Sequence, residues 1–395
     1  MNRVAVSCEA AVNNRVSDPM IPVMRPWLGA EEAAAVAEVL ASGWVAQGPK
    51  VAAFERAIAD TVGAGYGVAT SSCTGALHLA LVALDISHGD EVVVPSLSFI
   101  ATANVVRYVG ASPVFADVDE QNQNLCARTI EAVLTPRTKA VIVVHQGGTP
   151  ADLDTIRELC DPRGIAVIED AACALGATYK GKPIGSHSAL VAFSFHPRKV
   201  ITTGEGGMLV TSNESYARRI YRLRDHGVNI NAAERHANPE PVLEQFPETG
   251  FNYRMSDIQA VIGLVQLRRL ARIVANRREL ARRYQSAFAD IPGVRTATDP
   301  HYALSNYQSF WIVLDNAFPL SRNDMLRKLM QGGISARRGF MAAHLEPAYR
   351  DQAHDDLSVT EHLTRQSIIL PLYHELTEAD QDKVIELVRE SARSS

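Results

Sequence analysis

The chain has 395 residues, 47 % of them hydrophobic and 21 % charged, with a net charge of −5 at neutral pH. That length allows two or three domains. The balance excludes a disordered chain, and the mild acidity gives no basis for nucleic acid or an anionic membrane as a partner.

In chain order, residues 1–20 lack the basic start and apolar run of a secretory signal and read as a polar leader. Helical periodicity fills 31–41 and 51–62, a strand follows at 66–70, and an apolar helix opens near Thr74. Further strands are predicted at 91–95, 113–118, 140–145, 166–170, 191–195 and 207–211, most of them separated by helical segments. Continuous apolar strands alternating with helices predict an α/β fold whose doubly wound, mostly parallel seven-stranded sheet is covered on both faces. Residues 225–247 are polar, hold Asn229, Asn231 and Asn238, and read as a long excursion. A long helix is expected over 256–284. Beyond Pro292 the pattern resets to a smaller α/β unit, with strands at 310–314, 333–336 and 368–370 and a helix at 323–330. The capping box Thr377-Glu-Ala-Asp380 opens a last helix. The expected division is a leader (1–20), a large domain (21–270) and a small C-terminal domain (271–395). No apolar run reaches the roughly 20 residues of a membrane span. The five cysteines, odd in number and without a CxxC pair, argue against a disulfide framework and for a reducing cytoplasm.

Two residues at strand ends carry the chemistry. Lys199 follows the 191–195 strand in Ser194-Phe-His-Pro-Arg-Lys-Val-Ile-Thr-Thr-Gly-Glu-Gly-Gly207, and Asp170 closes the 166–170 strand. Doubly wound sheets bind ligands at the carboxyl ends of their strands. An amine on one strand end and a carboxylate on a neighbouring one is what pyridoxal 5′-phosphate (PLP) requires. The amine holds the aldehyde covalently, and the carboxylate keeps the pyridine nitrogen protonated so that the ring accepts electrons. Taken singly, Asp170 also reads as a helix N-cap and Lys199 as a surface lysine. The glycines of Thr202-Thr-Gly204-Glu-Gly206-Gly207 allow backbone to come close to whatever Lys199 binds. Ser71-Ser-Cys-Thr74-Gly75 opens a helix after a strand, which suits either a phosphate cup or an ordinary N-cap. Rival constellations are weak. There is no Walker A pattern and no HExxH, and Gly63-Ala-Gly65-Tyr-Gly67 precedes a strand instead of following one. His145, His196, His226 and His344 do not pair at metal-ligand spacing, so no metal is expected.

Six segments occur in one order and spacing: Ser42-Gly-Trp-Val-Ala-Gln-Gly-Pro49, 72–77, Pro95-Ser-Leu-Ser-Phe99, Glu169-Asp-Ala-Ala172, 194–207 and Gly250-Phe-Asn-Tyr-Arg-Met-Ser-Asp-Ile-Gln-Ala260. On them the chain resembles, from about residue 22 to 388, the DegT/DnrJ/EryC1/StrS group of PLP-dependent sugar aminotransferases, a branch of the fold-type-I aminotransferases. The resemblance implies that Lys199 is the Schiff-base lysine and proton-moving base, and that Asp170 pairs with the pyridinium nitrogen. It implies that Thr74, Gly75 and Ser194 hold the phosphate and that Phe99 stacks on the cofactor, a core aromatic being the plainer reading of Phe99. Asn252 would reach the phosphate of the neighbouring subunit's PLP, so that a homodimer shares its active sites. Arg254 would meet the donor's α-carboxylate, or lie on a solvated helix. The family carries Gln or His three residues after the pyridinium aspartate, against the ring oxygen of PLP. This chain has Cys173, a weaker donor. His145-Gln146-Gly-Gly-Thr-Pro150 also departs from the commoner form.

The reaction implied passes an amino group from an amino acid, with L-glutamate the expected donor, through pyridoxamine 5′-phosphate to a nucleotide-linked keto-deoxy sugar. Arg25-Pro26 together with 42–49 is more similar to members that aminate C4 than to those acting at C3. Arg337, Arg338 and His344 are candidates for the acceptor's diphosphate, or solvated charges. Alternatives are a cyclitol (inosose-type) aminotransferase and a PLP-dependent sugar dehydratase on the same scaffold, whose members replace the lysine with histidine. A non-catalytic regulatory protein would have no reason to keep Asp170, Lys199 and Asn252 together.

Overall fold

Short runs of Val, Ile, Ala and Phe pair into one sheet because each is buried on both sides and must satisfy its backbone through neighbours. The computed structural model describes residues 20–230 and 243–393. Its strands in chain order are β1 (Tyr66–Thr70), β2 (Glu91–Pro95), β3 (Ser112–Ala116), β4 (Thr138–Val144) and β5 (Ala166–Asp170). A hairpin of β6 (Thr178–Tyr179) and β7 (Lys182–Pro183) precedes β8 (Leu190–Ser194) and β9 (Gly207–Thr211). Seven of these form a sheet of order β1-β9-β8-β5-β4-β2-β3, in which β9 alone runs antiparallel to its neighbours. The seven predicted strands are these seven, with ends moved by one or two residues at three of them. The reversal at β9 has a local cause. A parallel return needs a crossover, usually a helix, whereas residues 195–206 are spent on a pinned loop.

Alternation along the strands builds two cores. Val93, Val141, Val143, Val191, Phe193 and Met208 face one side, against Phe54 and Ile58 of the helix Pro49–Val62 and Ile156 of the helix Leu153–Cys160. Val92, Val94, Ile142, Ile168 and Leu209 face the other, against the helices Cys73–Ala83, Ala101–Tyr108 and Glu214–Leu223.

The long helix expected over 256–284 is two helices, Asp257–Leu267 and Leu270–Phe288. The break falls at Arg268 and Arg269, where Arg269 is drawn to Glu31 (3.0 Å) and Glu32 (2.9 Å). It lets the second helix leave the large core after Ile273 and Val274 and carry Ala281, Tyr284 and Phe288 into a separate core. That core belongs to a smaller α/β unit. Its four-stranded sheet takes β10 (Val294–Thr296), β12 (Phe310–Leu314), β14 (Ser367–Leu370) and β13 (Arg337–Arg338) in that order, while β11 (Ala303–Leu304) pairs with β6. The strand expected at 333–336 is displaced to β13. Gly333, at φ +75°, ends the helix Arg322–Gln331, and Ile334 contributes only an isolated bridge to Ile21. Thr377 does cap the last helix, accepting from Asp380 N. We keep the division at 270/271 as a proposal. Ile21, Val23 and Met24 pack across it, onto the smaller unit. Nearly all of the leader, and residues 231–242 of the excursion, lie outside the described residues. Among the described residues no helix is long and apolar enough to cross a membrane.

Candidate functional site

Strand register brings the chemistry to one edge. Thr70 lies opposite Gly207, Gly207 opposite Ser194, and Asp170 beside Ala192. The carboxyl ends of β1, β8 and β5 therefore meet the start of β9. A Cβ on Gly207 would sit 2.4 Å from Cys73 N, so only glycine lets this strand approach the N-terminus of the helix Cys73–Ala83. The loop from Phe195 to Gly206 is tied at its neck. Phe195 N donates to Gly206 O (2.9 Å), Thr203 N to Phe195 O (3.0 Å) and Thr202 Oγ1 to Phe195 O (2.8 Å). Lys199 rides on this loop in a turn closed by its own N–H on His196 O (2.8 Å).

Asp170 is 5 % exposed. Its Oδ2 accepts from Thr102 Oγ1 (2.9 Å) and its Oδ1 from Ala172 N (3.1 Å). Burial lifts the Asp170 carboxyl above the usual range, against the opposing pull of Thr102, Ala172 and Lys199. Lys199 Nζ donates to Cys173 Sγ at 3.2 Å. Burial alone would lower the Lys199 ammonium, but Cys173 and Asp170 more than offset it, and its pKa lies above the ordinary value. Cys73 belongs to the same cluster. Its thiol is pushed well up, first by burial and then by Asp170. On the next position of β5, Glu169 pairs with His145 Nε2 (2.9 Å), both side chains fully buried. His145 Nδ1 accepts from Ala151 N (3.1 Å), so Nε2 carries the proton and His145 is a satisfied interior residue.

The other sequence candidates separate. Ser72 Oγ accepts from Gly75 N (3.1 Å) as an N-cap, while Thr74 has no hydrogen-bond partner for its N–H or hydroxyl among the described residues. The N-cap reading holds at Ser72, and the donors of Thr74 are left for a ligand. Ser194 Oγ, half-buried, accepts from His196 N at 3.4 Å. Phe99 is 66 % exposed, which rules out a core aromatic. It lies one turn before Thr102, whose N–H bonds Phe99 O. Tyr253 O accepts from Ser71 N (2.7 Å), which brings the 252–254 segment beside the phosphate-cup candidate. Asn252 is exposed in this chain. Arg254 precedes the helix Asp257–Leu267, so it is not on a solvated helix; it is half-buried and ion-paired with Asp225 through Nη1. Arg338 is exposed and reaches Glu346 at 3.4 Å.

His344 needs correction. It is 4 % exposed, hydrogen-bonded to Ser96 Oγ (2.6 Å) and Glu361 Oε1 (3.5 Å), and has no face left for a diphosphate. Sequence reading missed Thr102, because nothing in a helix start after Ser98-Phe99 announces a partner 68 residues away. The site thus offers an amine, a buried carboxylate with only neutral donors, an open helix start and an exposed ring. A flat aldehyde with a cationic ring nitrogen at one end and a phosphate at another suits that donor set.

Comparison with known proteins gives concordant results. The model of the DegT/DnrJ/EryC1/StrS aminotransferase family matches residues 26–389. The aminotransferase TlmJ from Streptoalloteichus hindustanus is 36 % identical, with a TM-score of 0.87 over 95 % of this chain and 99 % of that one. DesV of S. venezuelae, solved with a ketimine intermediate, is 32 % identical, with a TM-score of 0.87 over 95 % of this chain and 100 % of its own. DesI, solved in the presence of its TDP-sugar product, is 32 % identical, with a TM-score of 0.87 over 96 % and 94 %.

Proposed function

The chain belongs to the DegT/DnrJ/EryC1/StrS aminotransferase family and is a PLP-dependent sugar aminotransferase, and we propose that it moves the amino group of L-glutamate onto C4 of a nucleotide-linked keto-deoxy sugar. The observation that carries this reading is that Asp170 ends β5 and Lys199 lies on the loop leaving the neighbouring β8, so amine and carboxylate stand at the carboxyl ends of adjacent strands. PLP, when bound, supplies an electron sink for the donor's α-carbon. Lys199 holds it, and Lys199 Nζ takes up and returns the proton of that carbon. Asp170 keeps the ring nitrogen cationic, a role supported by a buried carboxylate that has only neutral hydrogen-bond donors. The free N–H and hydroxyl of Thr74, with the hydroxyl of Ser194, would hold the phosphate, while Gly75 spends its N–H on Ser72 Oγ and would leave the helix start open to backbone approach. The ring of Phe99, open in this chain, covers one face of the cofactor.

That the product of DesI is a TDP-sugar supports a nucleotide sugar as acceptor, and the wording of Arg25-Pro26 and 42–49 supports C4. Arg338 remains for the acceptor's diphosphate. The free thiols of Cys73, Cys126, Cys160 and Cys173 suit a reducing cytoplasm.

The test is spectroscopic. PLP-loaded protein will lose its visible absorbance on addition of L-glutamate and regain it with a nucleotide-linked 4-keto-6-deoxy sugar. An unchanged spectrum with every amino acid ends the assignment, and recovery only with a 3-keto isomer moves the position to C3.

The exposure of Asn252 supports a homodimer in which this side chain completes the partner's phosphate site. If so, Lys199→Ala and Asn252→Ala chains, each inactive alone, will recover part of the activity when mixed under conditions that exchange subunits. Persistent inactivity after proven exchange would remove the shared site.

A further inference from the structure

Three of the arginines singled out from sequence or neighbouring the site have carboxylate partners or none, and the difference is informative. Arg254 is held by Asp225, and Arg338 leans on Glu346. Arg337, on β13, has neither hydrogen bond nor ion pair for its guanidinium among the described residues. Its Nε is buried without a partner. Arg337 and Arg198 line one cavity, with Gln308 and Ser309 as polar neighbours and Met24, Ile369 and Leu372 among its apolar walls. Arg198 immediately precedes Lys199, and its carbonyl is fixed by Gln308 Nε2 at 2.8 Å.

We propose that Arg337, assisted by Arg198, is the recognition site for the amino donor's carboxylate, the role that family resemblance gives to Arg254. The proposal rests on the aminotransferase reading. A guanidinium without a counter-charge is costly where it is partly buried, as Arg337 is beside a second cation, and a carboxylate relieves that cost through the bidentate geometry an arginine fork offers. Burial and the like charge of Arg198 both press on Arg337. The link to the reacting amine is Arg198, which lines the cavity and directly precedes Lys199 in the chain.

This position favours a carboxylate over a diphosphate. In an amino acid the carboxylate is one bond from the carbon that reacts. In a nucleotide sugar the diphosphate is separated from the reacting ketone by the sugar ring. The apolar walls also match the methylene chain of a dicarboxylic amino acid better than a nucleotide.

The experiment separates the two half-reactions. Arg337→Gln should raise the L-glutamate concentration needed for half-maximal loss of absorbance by roughly 10- to 100-fold, the loss typical of a hydrogen bond to a charged group. Glutarate, a dicarboxylate without the reacting amine, should bind wild-type protein in a calorimeter and lose affinity by a similar factor in the variant. The nucleotide keto-sugar should reload the variant at wild-type concentrations, and Arg337→Lys should restore part of the donor affinity. If the keto-sugar step weakens while the glutamate step does not, Arg337 serves the diphosphate and the proposal falls. Unchanged glutamate and glutarate binding also overturns it. A wild type that no amino acid bleaches overturns the aminotransferase reading, and this proposal with it. Should Arg337→Gln melt early, Arg198→Gln, at an exposed position, carries the same test with a smaller shift.

Discussion

Lys199→Ala will fold, and its half-reaction with L-glutamate will slow by at least about 10⁴-fold, because the substitution removes both a covalent anchor and a proton carrier. The physical case is local. The amine is confined by a loop whose neck is tied at Phe195, Thr202, Thr203 and Gly206, so no other amine can move into its place. Its hydrogen-bond partner is the Cys173 thiol, at 3.2 Å. Among the described residues, removing the side chain breaks no ion pair and one hydrogen bond, to Cys173 Sγ, so the melting temperature should hold within a few degrees. Single-turnover absorbance and thermal melting, measured on the same preparation, check both halves. Turnover at the wild-type rate would take Lys199 out of its role, whereas loss of the melting transition would mean that the lysine is structural.

Asp170→Asn will act in opposite directions on catalysis and on the stability of the cofactor-free protein. With cofactor, losing a buried anion from a buried pair costs about 3–5 kcal/mol, so the half-reaction should fall by roughly 10²- to 10⁴-fold. Without cofactor, burial raises the carboxyl pKa above its unfolded value. The folded state then binds the proton more tightly than the unfolded chain, and stability falls as pH rises from the ordinary carboxylate range to the raised value. Above that window the folded protein carries the full penalty of a buried anion. Cofactor-free Asp170→Asn should therefore melt higher than wild type at neutral pH, and the difference should vanish below the ordinary carboxylate range. Melting curves of both proteins, stripped of cofactor, from pH 3.5 to 8 will show it. A pH-independent difference would mean that Asp170 is not the titrating group. An early-melting variant would mean that the bonds from Thr102 and Ala172 outweigh the burial cost.

The amino-acid order alone carried the seven strands, their place in one sheet, and the pairing of Asp170 with Lys199 at strand ends. Those features are local or periodic. A strand covered on both faces needs an unbroken apolar run, and a loop that tightens around a functional lysine needs glycine at 207, where a Cβ would lie 2.4 Å from Cys73 N. Periodicity has no access to direction. It joined Asp257–Leu267 and Leu270–Phe288 into one helix, because the break at Arg269 is made by Glu31 and Glu32, more than 200 residues away. For the same reason it ranked three cations of the smaller unit and Arg254 by residue type. Folding sorted them by partner. Asp225 pairs with Arg254, Ser96 and Glu361 claim His344, and Arg337 is left lining a cavity with Arg198, the residue before Lys199. Charge type is written in the chain, but whether a charge is spent on the protein itself or kept for a ligand depends on neighbours that only long-range packing supplies.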